Sequence, residues 1–89
     1  MNEAFPEQHR PHPRAILSRR ETEVLELTSL GLTNKQVASR LGVTIHAVKF
    51  HLAAVYRKLG VMNRTEAAVV FLEAERDADP VVRTSTQFA

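Results

Sequence analysis

The chain has 89 residues, 44% hydrophobic and 25% charged, with a formal net charge of +2 and no cysteine. That length supports one modest core rather than two domains, and the lack of thiols excludes disulfides and thiolate chemistry. No apolar run approaches the ~18 residues that span a bilayer, and the N-terminus Met1-Asn2-Glu3-Ala4-Phe5-Pro6 has no signal-peptide pattern, so a soluble, cytoplasmic protein with no membrane partner is expected.

Residues 1–15 hold Pro6, Pro11 and Pro13 among mostly polar neighbours. Such a segment buries too little surface to offset its ordering entropy and reads as a flexible N-terminal arm. Four helices follow. Ser18-Arg19-Arg20-Glu21 is a capping box that opens the first, which runs to Ser29 or Leu30 with Gly31 as its left-handed stop. Thr33-Asn34-Lys35-Gln36 opens the second, closed by Leu41 and Gly42. Thr44 caps the third, over about 45–59, which stops at Gly60, and Asn63-Arg64-Thr65-Glu66 opens a fourth that reaches about Arg76. Residues 77–89, broken by Pro80 and rich in Thr and Ser, form a flexible C-terminal tail. No strand alternation and no internal repeat are present. The fold class is all-α: a compact four-helix domain over 16–76 that contains a helix-turn-helix, with a tail at either end.

Charge is not spread evenly along these helices. Between Thr33 and Arg64 there is no acidic residue, yet Lys35, Arg40, Lys49, Arg57, Lys58 and Arg64 fall there. A one-signed segment in a nearly balanced chain is an electrostatic footprint, most often for polyphosphate. Arg40 has a plainer role open to it, pairing with Glu21, Glu23 or Glu26 across the helix packing.

Only Gly42-Val43-Thr44 separates the second helix from the third. A turn this short forces a steep crossing, the helix-turn-helix signature. At ~100° per residue, Val48, Leu52, Val55 and Leu59 share the core side of the third helix. His46, Lys49, Phe50, Ala53 and Arg57 share nearly the opposite side. A cation, an aromatic ring and a small residue on one exposed face suit a helix set into the major groove. There Lys donates to guanine O6 and N7, an apolar group meets a thymine methyl, and Ala allows close approach. His46, Lys49, Phe50 and Ala53 are the candidate base contacts. Candidate contacts to the DNA backbone are Thr33, Asn34, Lys35, Thr44, His51, Arg57, Lys58 and Arg64, with the N-terminus of the second helix suited to a phosphate.

The motifs Leu17 to Leu25, Gly31 to Ala38, Leu41 to Thr44, Val48 to Leu52, Arg57 to Val61 and Asn63 to Ala67 resemble the LuxR/FixJ-type DNA-binding domain of bacterial transcriptional regulators. The resemblance covers about 16–75. It implies a four-helix domain that binds double-stranded promoter DNA, usually as a two-fold dimer, with the third helix as reader. It also implies base contacts from positions 49 and 50, and backbone contacts from 51, 57 and 58. Two positions depart from the pattern: Ala53 is often polar or charged in relatives, and Phe50 replaces a smaller residue. Such modules usually follow a receiver or ligand-binding domain. Met1 and the composition of the tail point instead to a complete small regulator rather than an excised fragment.

The run Ala67-Ala68-Val69-Val70-Phe71-Leu72 is twice as apolar as one core face needs. Thr65, Val69 and Leu72 are therefore read as the seam of a homodimer, the plainer reading being a tail folded over scattered apolar surface. Other function classes fare worse. There is no nucleophile–base pair, phosphate loop or paired carboxylate, so no enzyme is expected, and no cofactor motif is present. His9 and His12 have no third partner nearby and read as tail residues rather than metal ligands. Arg10 and Arg14 are candidates to trail over phosphate or enter a minor groove. The closest rivals are a sigma-factor region-four-like promoter module, disfavoured by the sequence after Leu59, and a small module that captures another transcription factor through the last helix.

Overall fold

In the computed structural model, which describes residues 11–78, every helix begins where a side chain can accept a backbone proton. The elements are α1 (Pro13–Ile16), α2 (Arg19–Ser29), α3 (Asn34–Leu41), α4 (Ile45–Leu59) and α5 (Arg64–Ala78). At α2 the Glu21 amide donates to Ser18 Oγ over 3.1 Å, and Ser18 N–H donates back to Glu21 Oε1 over 2.8 Å. Thr33 and Gln36 repeat the exchange at α3, at 3.1 and 2.8 Å. Thr44 Oγ1 accepts from the Ala47 amide at α4. The α5 start is a variant. Asn63 Oδ1 accepts from the Glu66 amide, but the Glu66 carboxylate reaches one residue further back, to Met62 N–H. All four caps lie at the expected residues; α5 runs two residues beyond the expected Arg76.

The buried side chains fall into two groups. Leu17, Leu25, Val55, Ala67 and Phe71 join α2, α4 and α5, while Val24, Val37, Ala38, Val48 and Leu52 join α2, α3 and α4. Tyr56 packs against both groups, so α4 is the spine of the fold. Val24, Leu25, Val37, Val48 and Val55 have no exposed surface, and each contributes about 1.5–3 kcal/mol of burial.

Residues 13–15, expected within the flexible arm, are helical. Residues 13–16 form a helical turn, with Pro13 in its first turn and His12 Nδ1 accepting from the Arg14 amide. Arg14 donates to Glu26 at 2.6 Å and to both Glu75 oxygens at 3.0 Å, and its guanidinium lies 5.4 Å from the centre of the Phe71 ring. His12 Nε2 is 3.0 Å from Glu75, and its ring meets Phe71 edge-on. Arg14 is thus a staple between α1, α2 and α5 and not a trailing phosphate contact, and His12 is a cap rather than a plain tail residue. The segment was missed because four residues are too few to show a hydrophobic period, and its anchors lie 12 and 61 positions away. His9, Arg10 and residues 79–89 lie outside the described residues.

Candidate nucleic-acid interface

The α3–α4 connection follows from three residues. Gly42 takes a left-handed φ of 71°, a conformation that costs other L-residues about 1–2 kcal/mol. Val43 N–H returns to the Ala38 carbonyl over 3.0 Å, and Val43 packs under the turn against the α2–α3–α4 core. Thr44 then starts α4. This reversal fixes the two helices against each other and leaves one side of α4 outside the core.

That side carries the expected residues. His46, Lys49, Phe50, Ala53 and Arg57 are exposed, whereas Val48, Leu52 and Val55 are buried and Leu59 is half-buried. Phe50 keeps 70% of its surface exposed. Its ring stands edge-on to His51, with centroids 5.8 Å apart and an interplanar angle of 70°. Of the expected backbone contacts, Thr33, Lys35, Thr44, Arg57 and Lys58 are exposed, and Asn34, His51 and Arg64 are half-buried. The hydroxyls of Thr33 and Thr44 accept from their own helices, which leaves each O–H as a donor towards an oxyanion.

Ion pairing sorts the cations into two sets. Arg14 is taken by Glu26 and Glu75, Arg19 and Arg20 by Glu23, and Lys58 by Glu21 at 2.9 Å. Arg64 donates to Asn34 Oδ1 and to the Leu32 carbonyl, which ties the start of α5 to the α2–α3 loop. Lys35, Arg40, Lys49 and Arg57 have no carboxylate partner among the described residues. All four lie in the acid-free stretch. The alternative role of Arg40, pairing with a glutamate of α2, does not occur among the described residues, where those carboxylates pair with Lys58, with Arg19 and Arg20, and with Arg14.

Glu21 has the most enclosed carboxylate of the set, with 10% of its side chain exposed. Burial, the largest single influence, pushes its pKa up. The Ser18 N–H and the Lys58 ammonium together outweigh that and hold it below the usual carboxylate range.

Thr65, Val69 and Leu72 are exposed on one side of α5, Val69 and Leu72 at 47% and 48%. Ala67 and Phe71 occupy the core side. The sequence reading missed two apolar neighbours of these surfaces. Met62, 83% exposed, lies in the turn just before the Asn63 cap of α5, three residues ahead of Thr65. Ile45, also exposed, is one helical turn before Lys49. The helical period that found Lys49 reaches Ile45, whereas Met62 precedes α5 and falls outside its period.

A short helix crossed by a longer one, with a bare cationic and aromatic outer side, defines a helix-turn-helix DNA-binding class. Residues 15–71 match the family model of bacterial regulatory proteins, luxR family, and the chain belongs to that family. It is 41% identical over 61 residues to the nitrate/nitrite response regulator protein NarP of Escherichia coli, covering 68% of this chain and 28% of the relative. It is 44% identical over 57 residues to the transcriptional regulatory protein LiaR of Bacillus subtilis, covering 64% and 27%. The HTH-type transcriptional regulator AlkS of Ectopseudomonas oleovorans is 42% identical over 62 residues, covering 70% and 7%. The chain spans a third or less of the length of these relatives. The family is one of transcription-regulating DNA-binding domains, not an enzyme class. Among the described residues no helix is long and apolar enough to cross a membrane.

Proposed function

We propose that this chain recognises a specific duplex sequence in promoter DNA, with α4 in the major groove and α5 pairing two copies. His46, Lys49, Phe50 and Ala53 face base edges. Thr33, Asn34, Lys35, Thr44, His51 and Arg57 hold phosphates. Lys58 and Arg64 are the remaining candidate backbone contacts, but their protein partners make them struts first: Lys58 pins the end of α4 to α2, and Arg64 pins α5 to the α2–α3 loop. One observation carries the reading. Among the described residues, the Lys and Arg side chains with neither a carboxylate nor another hydrogen-bond partner, Lys35, Arg40, Lys49 and Arg57, are confined to the helix-turn-helix. An ion-pair-free cation is a standing counterion site, and a phosphate backbone fills several at once with release of bound salt ions.

The proposed dimer rests on the exposed Thr65, Val69 and Leu72 stripe of α5, whose 4–3 spacing suits a helix pair, with the exposed Met62 just ahead of the helix. Selection from a random duplex pool, combined with sedimentation of the protein on the selected DNA, tests both parts. The expected result is an inverted repeat whose half-sites recur at about one helical turn, ~10 bp, bound by two copies. With Lys49→Ala the preference at one position should relax, at a cost of ~1–3 kcal/mol. A pool that shows no enrichment refutes base reading. Enrichment of a single half-site bound by a monomer refutes the dimer and assigns the α5 stripe to another transcription factor.

A further inference from the structure

Phe50 has a feature that a merely exposed residue does not require. It is an aromatic ring, 70% exposed, in the middle of the α4 face that carries the cations. Leaving a phenyl ring in water is unfavourable, and an exposed surface helix gains nothing from it. The ring is not loose either. The half-buried His51 meets it edge-on at 5.8 Å and 70°, a favoured aromatic arrangement that limits the directions it can take. One turn on, Ala53 is exposed and small, so the space beside the ring is open. Ile45 adds a second exposed apolar group near the start of the same helix.

A phenyl ring has no donor or acceptor for the polar base edges. In the major groove the only apolar group a base normally presents is the C5-methyl of thymine. With Ile45, Phe50 and Ala53 exposed around it, Lys49 is flanked by more apolar than polar reading surface. Resting on the assignment of α4 as the reading helix, we propose that Phe50 makes this domain a detector of the pyrimidine 5-methyl group. In each half-site the ring covers one thymine methyl next to the base pair contacted by Lys49. A 5-methylcytosine presents the same methyl at the same place, so cytosine methylation at that step raises affinity for an otherwise poorer site.

The test uses the full chain and the duplex it selects from a random pool. Each thymine is replaced in turn by deoxyuridine, which removes the methyl and keeps the pairing edge. In a second series, the cytosine variant of each thymine position is compared with its 5-methylcytosine form. Affinity is read by fluorescence anisotropy for the wild type and for Phe50→Ala, whose substitution at an exposed site leaves the core intact. At one thymine per half-site, deoxyuridine should weaken wild-type binding about fourfold, which is the ~0.8 kcal/mol of a buried methyl-sized group. At that position 5-methylcytosine should bind more tightly than cytosine by a similar factor. Phe50→Ala should respond less than about 1.5-fold to either change while keeping the salt dependence of the wild type. The proposal is overturned if no deoxyuridine weakens the wild type more than about twofold, or if Phe50→Ala remains as sensitive as the wild type. A pool without any enriched sequence is a different failure. It removes the base-reading function itself, whereas an enriched but deoxyuridine-insensitive site removes only the methyl reading.

Discussion

Glu21 offers the sharpest test of how α4 is held, because one carboxylate performs two separable tasks. It accepts the Ser18 N–H of the α2 capping box and binds the ammonium of Lys58 near the end of α4. Glu21→Gln keeps an oxygen for Ser18 and removes the charge. The lost pair is half-open, since the Lys58 side chain is 39% exposed, so the loss is about 1 kcal/mol rather than that of a buried pair. Glu21→Ala also removes the cap acceptor, another ~1 kcal/mol, together with packing in a nearly closed site. A total of about 2–3 kcal/mol follows. In a domain of this size 1 kcal/mol moves Tm by roughly 4–8 °C, so the Gln variant should melt about 4–8 °C below the wild type and the Ala variant about 8–24 °C below it. The Glu21 pKa is depressed in the fold. Its stabilisation is therefore complete above the unfolded carboxylate value of about 4.3 and fades as pH falls through the lower folded value. Melting followed by circular dichroism from pH 7 to pH 3 should show the gap between wild type and Glu21→Gln narrowing below about pH 4.5. A gap that is constant across that range, or equal losses for Gln and Ala, would refute the two-task reasoning. Glu75, depressed chiefly by its hydrogen bond from Arg14, leaves both proteins a shared acid-sensitive component.

Arg57→Ala should lower the slope of log affinity against log salt by about 1 on any duplex, specific or not; an unchanged slope places Arg57 off the phosphate backbone. Lys58→Ala, by contrast, should destabilise the fold by about 1 kcal/mol and be non-additive with Glu21→Gln in a thermal double-mutant cycle, whereas full additivity would mean that the pair is not coupled. Gly42→Ala meets no atom within 4 Å, so its cost is conformational, about 1–2 kcal/mol, and a Tm within a degree of wild type would exclude the left-handed turn. Leu72→Asp should leave Tm nearly unchanged while abolishing two-copy occupancy of an inverted repeat in sedimentation, and retention of two copies would place the dimer contact elsewhere.

The helix starts were legible because each is decided within four residues. Ser18 with Glu21, Thr33 with Gln36, and Asn63 with Glu66 carry both partners in one short string. The outer face of α4 was legible for a related reason, as a helix converts spacing directly into direction. The ion pairs were not. Lys58 and Glu21 are 37 residues apart and Arg14 and Glu75 are 61 apart, and nothing local tells which carboxylate will meet which cation. That is why Lys58 and Arg14 read as charges open to phosphate, and why pairing stayed an open alternative for Arg40. For α1 the local signal was weak but present: a proline in the first turn suits a helix start, although histidine is an unusual cap.

The Arg14–Glu75 contact also closes the chain upon itself. The first and last helices of the described fold meet through paired side chains, so residues 12 and 75 lie side by side although almost the whole domain separates them in sequence. Seen as an object to be tethered, the unit hangs from one point. A cargo fused ahead of His12 and the same cargo fused after α5 occupy nearly the same place in space. By the same geometry, a few residues joining the two ends would permit a circularly permuted chain opened in the α4–α5 turn, with the order of α2, α3 and α4 kept intact.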